Sequence, residues 1–262
     1  MCTLVFAWQV FADTPVVAAA NRDERLDRES EPPSVVDREP RVVAPTDAEA
    51  GGTWVGYNDD GVFVAITNRW TGTDLGGERS RGLLVRDALR QESAETATRL
   101  VERELDDRQY AGFNLVLADE RAALLVEWDG ETRRVRNFEP GVHVVVNVGA
   151  DGEYVVPASR PEAGEQQAAN ADSVAAALRV EPGESSPAWL DRAAEVIADH
   201  DYGVCVHGDA SERRSDGSSD SSEGGFGTRS SSLVAVGTEG ARYRYADGPP
   251  CVTAYRDVDS QI

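Results

Sequence analysis

Apolar and polar positions along this chain alternate in short blocks that read in turn as strands, helices, strands, helices and strands. Residues 3–11 and 15–21 are apolar runs joined by the turn-forming ADTP, which predicts two paired strands. A second pair flanks Asp60-Gly61 within GGTWVGYNDDGVFVAITN. There Val62, Val64 and Ile66 alternate with Phe63, Ala65 and Thr67, so both faces are apolar and the strand should be covered on both sides. SRGLLVRDALRQ and SAETATRLVERELDD carry a helical period. In the second, Ala97, Leu100, Val101 and Leu105 share one face behind Ser93 as N-cap. FNLVLAD, AALLVEWD and HVVVNVG predict three more strands.

Two further helices are expected in ADSVAAAL and SPAWLDRAAEVIAD, the latter with Pro187 in its first turn and Leu190, Ala193, Ala194 and Ile197 at helical spacing. GTRSSSLVAVG and ARYRYAD read as a closing pair of strands. Two stretches fall outside the pattern. Residues 25–50, rich in Pro, Glu, Asp and Arg, are expected to form a long surface connection. Residues 208–225, GDASERRSDGSSDSSEGG, have too few apolar groups to offset ordering entropy and are expected to form a disordered acidic Ser/Gly-rich loop. No internal repeat is visible. The element order predicts an α+β chain, a single domain over residues 1–262. Its architecture is an αββα four-layer sandwich of two antiparallel sheets, each covered outside by helices.

Composition narrows the function. The 262 residues carry a formal charge of −21, and all 26 basic residues are arginine. With no basic stretch to follow a phosphate backbone, nucleic acid is not an expected partner. An acidic surface without lysine suits a salt-rich cytosol, where charges are screened within roughly 3 Å at 1 M. No positive region precedes CTLVFAWQVF, and no segment offers ~20 apolar residues, so a cytoplasmic location without a membrane span is expected. Three widely spaced cysteines, Cys2, Cys205 and Cys251, argue against a disulfide framework and a thiolate zinc site.

Candidate chemistry lies where polar residues interrupt strand ends. Cys2 stands at the head of an apolar strand, either as a small core thiol or, after loss of Met1, as a terminal nucleophile. AANRDE places Arg22 and Asp23 at a strand end, as an ion pair or as site residues. Asn68 ends AITN and either caps a turn or faces a site, while Asn147 lies among valines, where a buried amide needs partners. Arg229 opens a strong strand, anchoring a carboxylate or facing the same site. Trp54 and Trp70 flank the hairpin as core residues or as walls of a ligand pocket. Cys205 and His207 in CVH suggest a metal or haem ligand only weakly, since the chain has just three histidines, His143, His200 and His207.

MCTL, AANRDE, GGTWVG, SRG, FNLVLAD and GTRSSS occur in this order over nearly the whole chain. Together they resemble the NRDE family, which includes the transport-and-Golgi-organisation-two proteins. That family in turn is similar to N-terminal-nucleophile (Ntn) hydrolases with a cysteine nucleophile, such as penicillin V acylase and bile-salt hydrolase. The resemblance implies the αββα sandwich. It also implies that Cys2, freed of Met1, attacks an acyl carbonyl with its own amine as base. Asn68 and Asn147 would hold the oxyanion and the amine, Arg229 would lower the thiol pKa, and Arg22 with Asp23 would complete the electrostatic frame. An alternative register pairs Asn21 with Glu24. The implied partner is a small acyl substrate, with no cofactor. The alternative function is a carrier on the same fold, holding haem or an acyl ligand as cargo.

Overall fold

Thr3–Trp8 forms β1, buried along its whole length because apolar layers cover both of its faces. Leu4, Phe6 and Trp8 point into a core shared with a second sheet, while Val5 and Ala7 pack beneath helices. The computed structural model describes residues 2–72, 76–208 and 225–259. An eight-stranded antiparallel sheet holds β1 near its centre, between β2 (Val16–Arg25) and β10 (Gly141–Val146). Beyond β10 lie β11 (Gly149–Ala150) and β12 (Glu153–Tyr154). Beyond β2 lie β13 (Phe226–Gly237), β14 (Gly240–Ala246) and β15 (Arg256–Asp257).

The second sheet has seven strands in sequence order: β3 (Ser30–Arg38), β4 (Arg41–Asp47), β5 (Val55–Asn58), β6 (Phe63–Asn68), β7 (Phe113–Ala118), β8 (Ala123–Trp128) and β9 (Arg133–Asn137). Helices α1 (Arg81–Ala88) and α2 (Ala94–Asp107) cover its outer face through Leu84, Val85, Val101 and Leu105. Helices α3 (Pro161–Ala177) and α4 (Ser186–Ala198) cover the first sheet through Val174, Trp189, Ala193 and Ile197. The expected αββα sandwich is therefore the observed one. Ser93 caps α2 by accepting from the Thr96 amide, and Ser185 caps α4 by accepting from Ala188. No helix among the described residues is long and apolar enough to cross a membrane.

Three expectations need revision or restriction. Residues 25–50 are not a plain connection: β2 continues to Arg25, and β3 and β4 form an edge hairpin with Val42, Val43 and Ala44 fully buried. Pro32 and Pro33 hide the pattern. They interrupt an edge strand whose pairing shifts register twice, between Glu31 and Ser34 and between Val35 and Asp37. Helix α3 begins well before ADSVAAAL, because its first half seats only Gly164 and Gln167 in buried positions and so shows no apolar period. The expectation for residues 208–225 falls mostly on residues 209–224, outside the described residues.

The GGTWVG and SRG motifs are locked together. The Thr53 amide donates to the Gly82 carbonyl at 3.0 Å, and a Cβ on Gly52 would lie 2.2 Å from the Gly82 carbonyl carbon. Backbone cannot yield to that contact as a side chain would. Gly52→Ala is expected to cost about 3 kcal/mol of stability, read from denaturant midpoints, by separating Trp54 from the start of α1.

Candidate active site

The head of β1 lies at one end of the sandwich, where several strands stop and α1 begins. Thr3 pairs with Asn21 on β2 and with Val146 on β10, which sets Cys2 between Arg22 and Asn147. The Cys2 backbone nitrogen donates to Asn147 Oδ1 at 2.9 Å, and its Sγ approaches the Asp23 carbonyl at 3.6 Å. Asn147 is itself fixed from two sides. Gln167 Nε2 of α3 donates to Asn147 Oδ1 at 2.8 Å, and Asn147 Nδ2 donates to the Asn68 carbonyl at 2.6 Å. Asn114 of β7 supports the same corner by donating to the Val146 carbonyl at 2.7 Å across the two sheets.

Strand alternation separates the NRDE residues. Asn21 faces the helices, donating to the Ile197 and Val204 carbonyls at 2.8 Å each and accepting from Ser231 at 2.7 Å. Arg22 faces the inter-sheet side. It is 7% exposed, stacks over the Trp54 ring at 4.2 Å, and sends Nη2 to Asp47 at 3.5 Å and Glu24 at 3.8 Å. Its Nη1 is buried without a hydrogen-bond partner among the described residues. Asp23 accepts from the Thr228 hydroxyl at 2.6 Å, and burial pushes its carboxyl above the usual range. Burial likewise raises the Cys2 thiol, opposed in part by the Arg22 guanidinium.

These groups open onto a cleft of about 100 Å³. Cys2, Arg22, Asp23, Asn68 and Trp54 line it, together with Ser80 and Gly82 from the α1 start. The Asn68 side chain is exposed there with no hydrogen bond to another described residue. Arg229 is elsewhere. It occupies the bulge of β13 between Thr228 and Ser230, and its guanidinium turns to Asp247 at 3.6 Å. Trp70 is outside the cleft lining as well: its amide donates to the Asn147 carbonyl at 3.0 Å, and its ring packs on the helix-side core beneath Arg160. Gln167 and Thr228 hold the site and were not singled out from the sequence. The sequence offered no signal for Gln167, because the half of α3 that carries it shows no apolar period.

A second cluster lies on the helix side of Asp23. His200, Cys205, His207 and Cys251 each present one ligating atom, all within 4.8 Å of one another. Those residue types suit a transition metal.

The fold has relatives of known structure. Penicillin V acylase from Agrobacterium tumefaciens superposes with a TM-score of 0.50 at 12% identity, covering 100% of this chain and 98% of that one. A variant of conjugated bile acid hydrolase from Clostridium perfringens gives 0.49 at 12% identity, covering 100% and 98%. The Caenorhabditis elegans ortholog of N-acylethanolamine-hydrolyzing acid amidase gives 0.48 at 13% identity, covering 88% and 92%. At such identities the likeness is one of fold, with the acylase superposition carrying it. No curated protein sequence matches the chain. Residues 1–247 match the family described as Transport and Golgi organisation 2. That match spans nearly every element from β1 through β14, and the chain belongs to the Transport and Golgi organisation 2 family.

Proposed function

We propose that this chain is an Ntn-type cysteine hydrolase that cleaves the C–N bond of a small acyl amide. The observation that carries the reading is the seat of Cys2, whose nitrogen is held at 2.9 Å by Asn147 while its sulfur borders a cleft with a buried, unpartnered guanidinium nitrogen. Removal of Met1 turns that nitrogen into an amine with a pKa near ~7.7–8, suited to take the thiol proton. Sulfur then bonds to the acyl carbon. The amine proton passes to the leaving nitrogen as the C–N bond breaks, and water cleaves the resulting thioester. Arg22 Nη1 and the Asn68 amide are the donors available to the oxyanion.

The cleft lining favours this reading over a porphyrin carrier. Arg22, Asp23, Glu24, Arg28, Asp47 and Arg81 surround a space of about 100 Å³ beside Trp54 and Ile66, which is too small for a macrocycle. The charge of −21 with no lysine supports a salt-rich cytosol as the setting, so assays belong in molar KCl.

The test is intact mass of chain purified from a salt-adapted host, followed by iodoacetamide labelling across pH and a screen of acyl amides. The expected result is loss of Met1, one fast alkylation at Cys2 near neutral pH, and release of an amine from at least one substrate. If Met1 is retained, burial keeps the thiol protonated at neutral pH, and labelling should set in only at more alkaline pH than for an exposed cysteine. Retained Met1 with an inert Cys2 at neutral pH overturns the proposal.

A further inference from the structure

We propose that His200, Cys205, His207 and Cys251 form a zinc(II) site, separate from the Cys2 cleft. Sequence spacing conceals it, since Cys251 lies 44 positions beyond His207. The fold closes that gap in three steps. His200 sits in a single 3₁₀ turn (His200–Tyr202) after α4, and Gly203 then reverses the chain with φ 65°. A side chain at Gly203 would be strained by that left-handed backbone and would displace the Asn170 amide, whose Nδ2 would lie 2.4 Å from a Cβ. Cys205 follows, buried, and His207 is bridged to Gly227 at the start of β13. Cys251 arrives from the other direction, on a turn after β14 in which the Val252 and Thr253 amides both donate to the Pro249 carbonyl.

Three of the four ligand atoms stand near coordination spacing, and that of His200 lies within 4.8 Å of them. Cys205 Sγ and Cys251 Sγ are 3.5 Å apart, and His207 Nε2 lies 2.9 Å from Cys251 Sγ and 3.9 Å from Cys205 Sγ. A tetrahedron with Zn–S near 2.3 Å and Zn–N near 2.05 Å has edges of about 3.8 Å between sulfurs and about 3.6 Å between sulfur and nitrogen. The observed separations scatter around those edges. Two imidazoles on the solvent side over a buried thiol match the Cys2His2 donor set that selects zinc. A cysteine pair alone would account for a disulfide, but it would not require two histidines whose rings meet edge to face at 5.1 Å. Binding releases the two thiol protons to solvent as the S–Zn bonds form.

The site is joined to the cleft by a short polar chain. The Val206 amide donates to Thr228 Oγ1 at 2.9 Å, and that hydroxyl donates to Asp23 Oδ1 at 2.6 Å. A metal that fixes Cys205 and His207 therefore fixes the residue between them, and through Thr228 the orientation of Asp23 beneath Cys2.

The full chain, reduced and stripped with a chelator, is titrated with zinc chloride against a chromophoric competitor, and in parallel with cobalt(II). We expect one equivalent bound at submicromolar affinity, with the visible bands of tetrahedral cobalt and a thiolate charge-transfer band. His207→Ala and Cys251→Ser, both outside the core, should each weaken zinc at least tenfold with circular dichroism unchanged. Cys2→Ala should bind zinc as the parent does. The proposal is overturned by the absence of submicromolar binding to the reduced chain, by cobalt that stays six-coordinate, or by affinity unchanged in the His207→Ala, Cys251→Ser double variant. A Cys205–Cys251 disulfide whose reduction yields no zinc binding overturns it equally.

Discussion

Replacing Cys2 with alanine is expected to abolish acyl-amide turnover, by roughly 10⁴-fold or more, while leaving the fold in place. In the proposed cycle the thiol is the group that forms and releases the acyl bond, and the Ser80 and Thr53 hydroxyls that also line the cleft are far weaker nucleophiles. Among the described residues the thiol is also the nucleophile whose own backbone nitrogen, held by Asn147, would take its proton. The structural cost is small for an equally specific reason. Sγ makes one long hydrogen-bond contact, 3.6 Å to the Asp23 carbonyl. Stability should change by less than about 1 kcal/mol, because a weak S–H donor and one small atom are all that is lost. Progress curves with a substrate from the acyl-amide screen, alongside thermal melts in molar KCl, separate the two effects. Residual turnover within tenfold of the parent would remove Cys2 from the mechanism and leave the cleft as a binding pocket.

Cys2→Ser sharpens the same prediction. The hydroxyl fits where the thiol sat and keeps the amine on Asn147, but a serine hydroxyl is far less acidic than a thiol. Substrate should still bind while turnover falls nearly as far as in the alanine variant.

How much of this could be read before the fold was known differs by element. The sandwich was legible because β1, β6 and β7 are apolar on both faces, which only two covering layers explain. The edge hairpin of β3 and β4 was not, since prolines and acids are how an edge strand avoids pairing with other chains. In the site, Cys2, Arg22 and Asn147 were legible as polar groups at ends of buried strands. Arg229 was not, because whether it faces the cleft depends on the bulge between Thr228 and Ser230, which alternation along the strand does not foretell. Each of the two pairings weighed for NRDE, Arg22 with Asp23 and Asn21 with Glu24, takes one residue from each face of a single strand. Arg22 and Glu24 point to the cleft side, while Asn21 ties β2 to the ends of α4 and the Val204 segment. Of the four side chains of the proposed zinc site, only Cys205 and His207 stand together in the sequence; His200 and Cys251 are brought to them by Gly203 and the turn at Pro249, neither of which is a proposed ligand.

Asn147→Ala should have the second largest effect, and it should strike both stability and rate. The side chain serves three partners at once: the Cys2 nitrogen, the Gln167 amide and the Asn68 carbonyl. Truncation leaves those groups without a shared partner, two of them in buried or half-buried surroundings, at a cost of about 3 kcal/mol. It also releases the Cys2 nitrogen from its only side-chain anchor among the described residues. In the proposed cycle that nitrogen is the base, so kcat should fall by about 10²–10³-fold with a smaller change in KM. Gln167→Met distinguishes positioning from packing. It keeps the volume and removes the amide, and since Gln167 Oε1 is buried without a partner among the described residues, its loss offsets the lost bond to Asn147. Stability should stay within about 1 kcal/mol of the parent. The rate should still drop, and the acid limb of its pH profile should move, because Asn147 Oδ1 would turn wholly to the amine and favour its protonated form. A Gln167→Met chain with parental kinetics and an unmoved pH profile would show that α3 holds the corner by packing alone, and would return the anchoring of Cys2 to Asn147 and the Asn68 carbonyl.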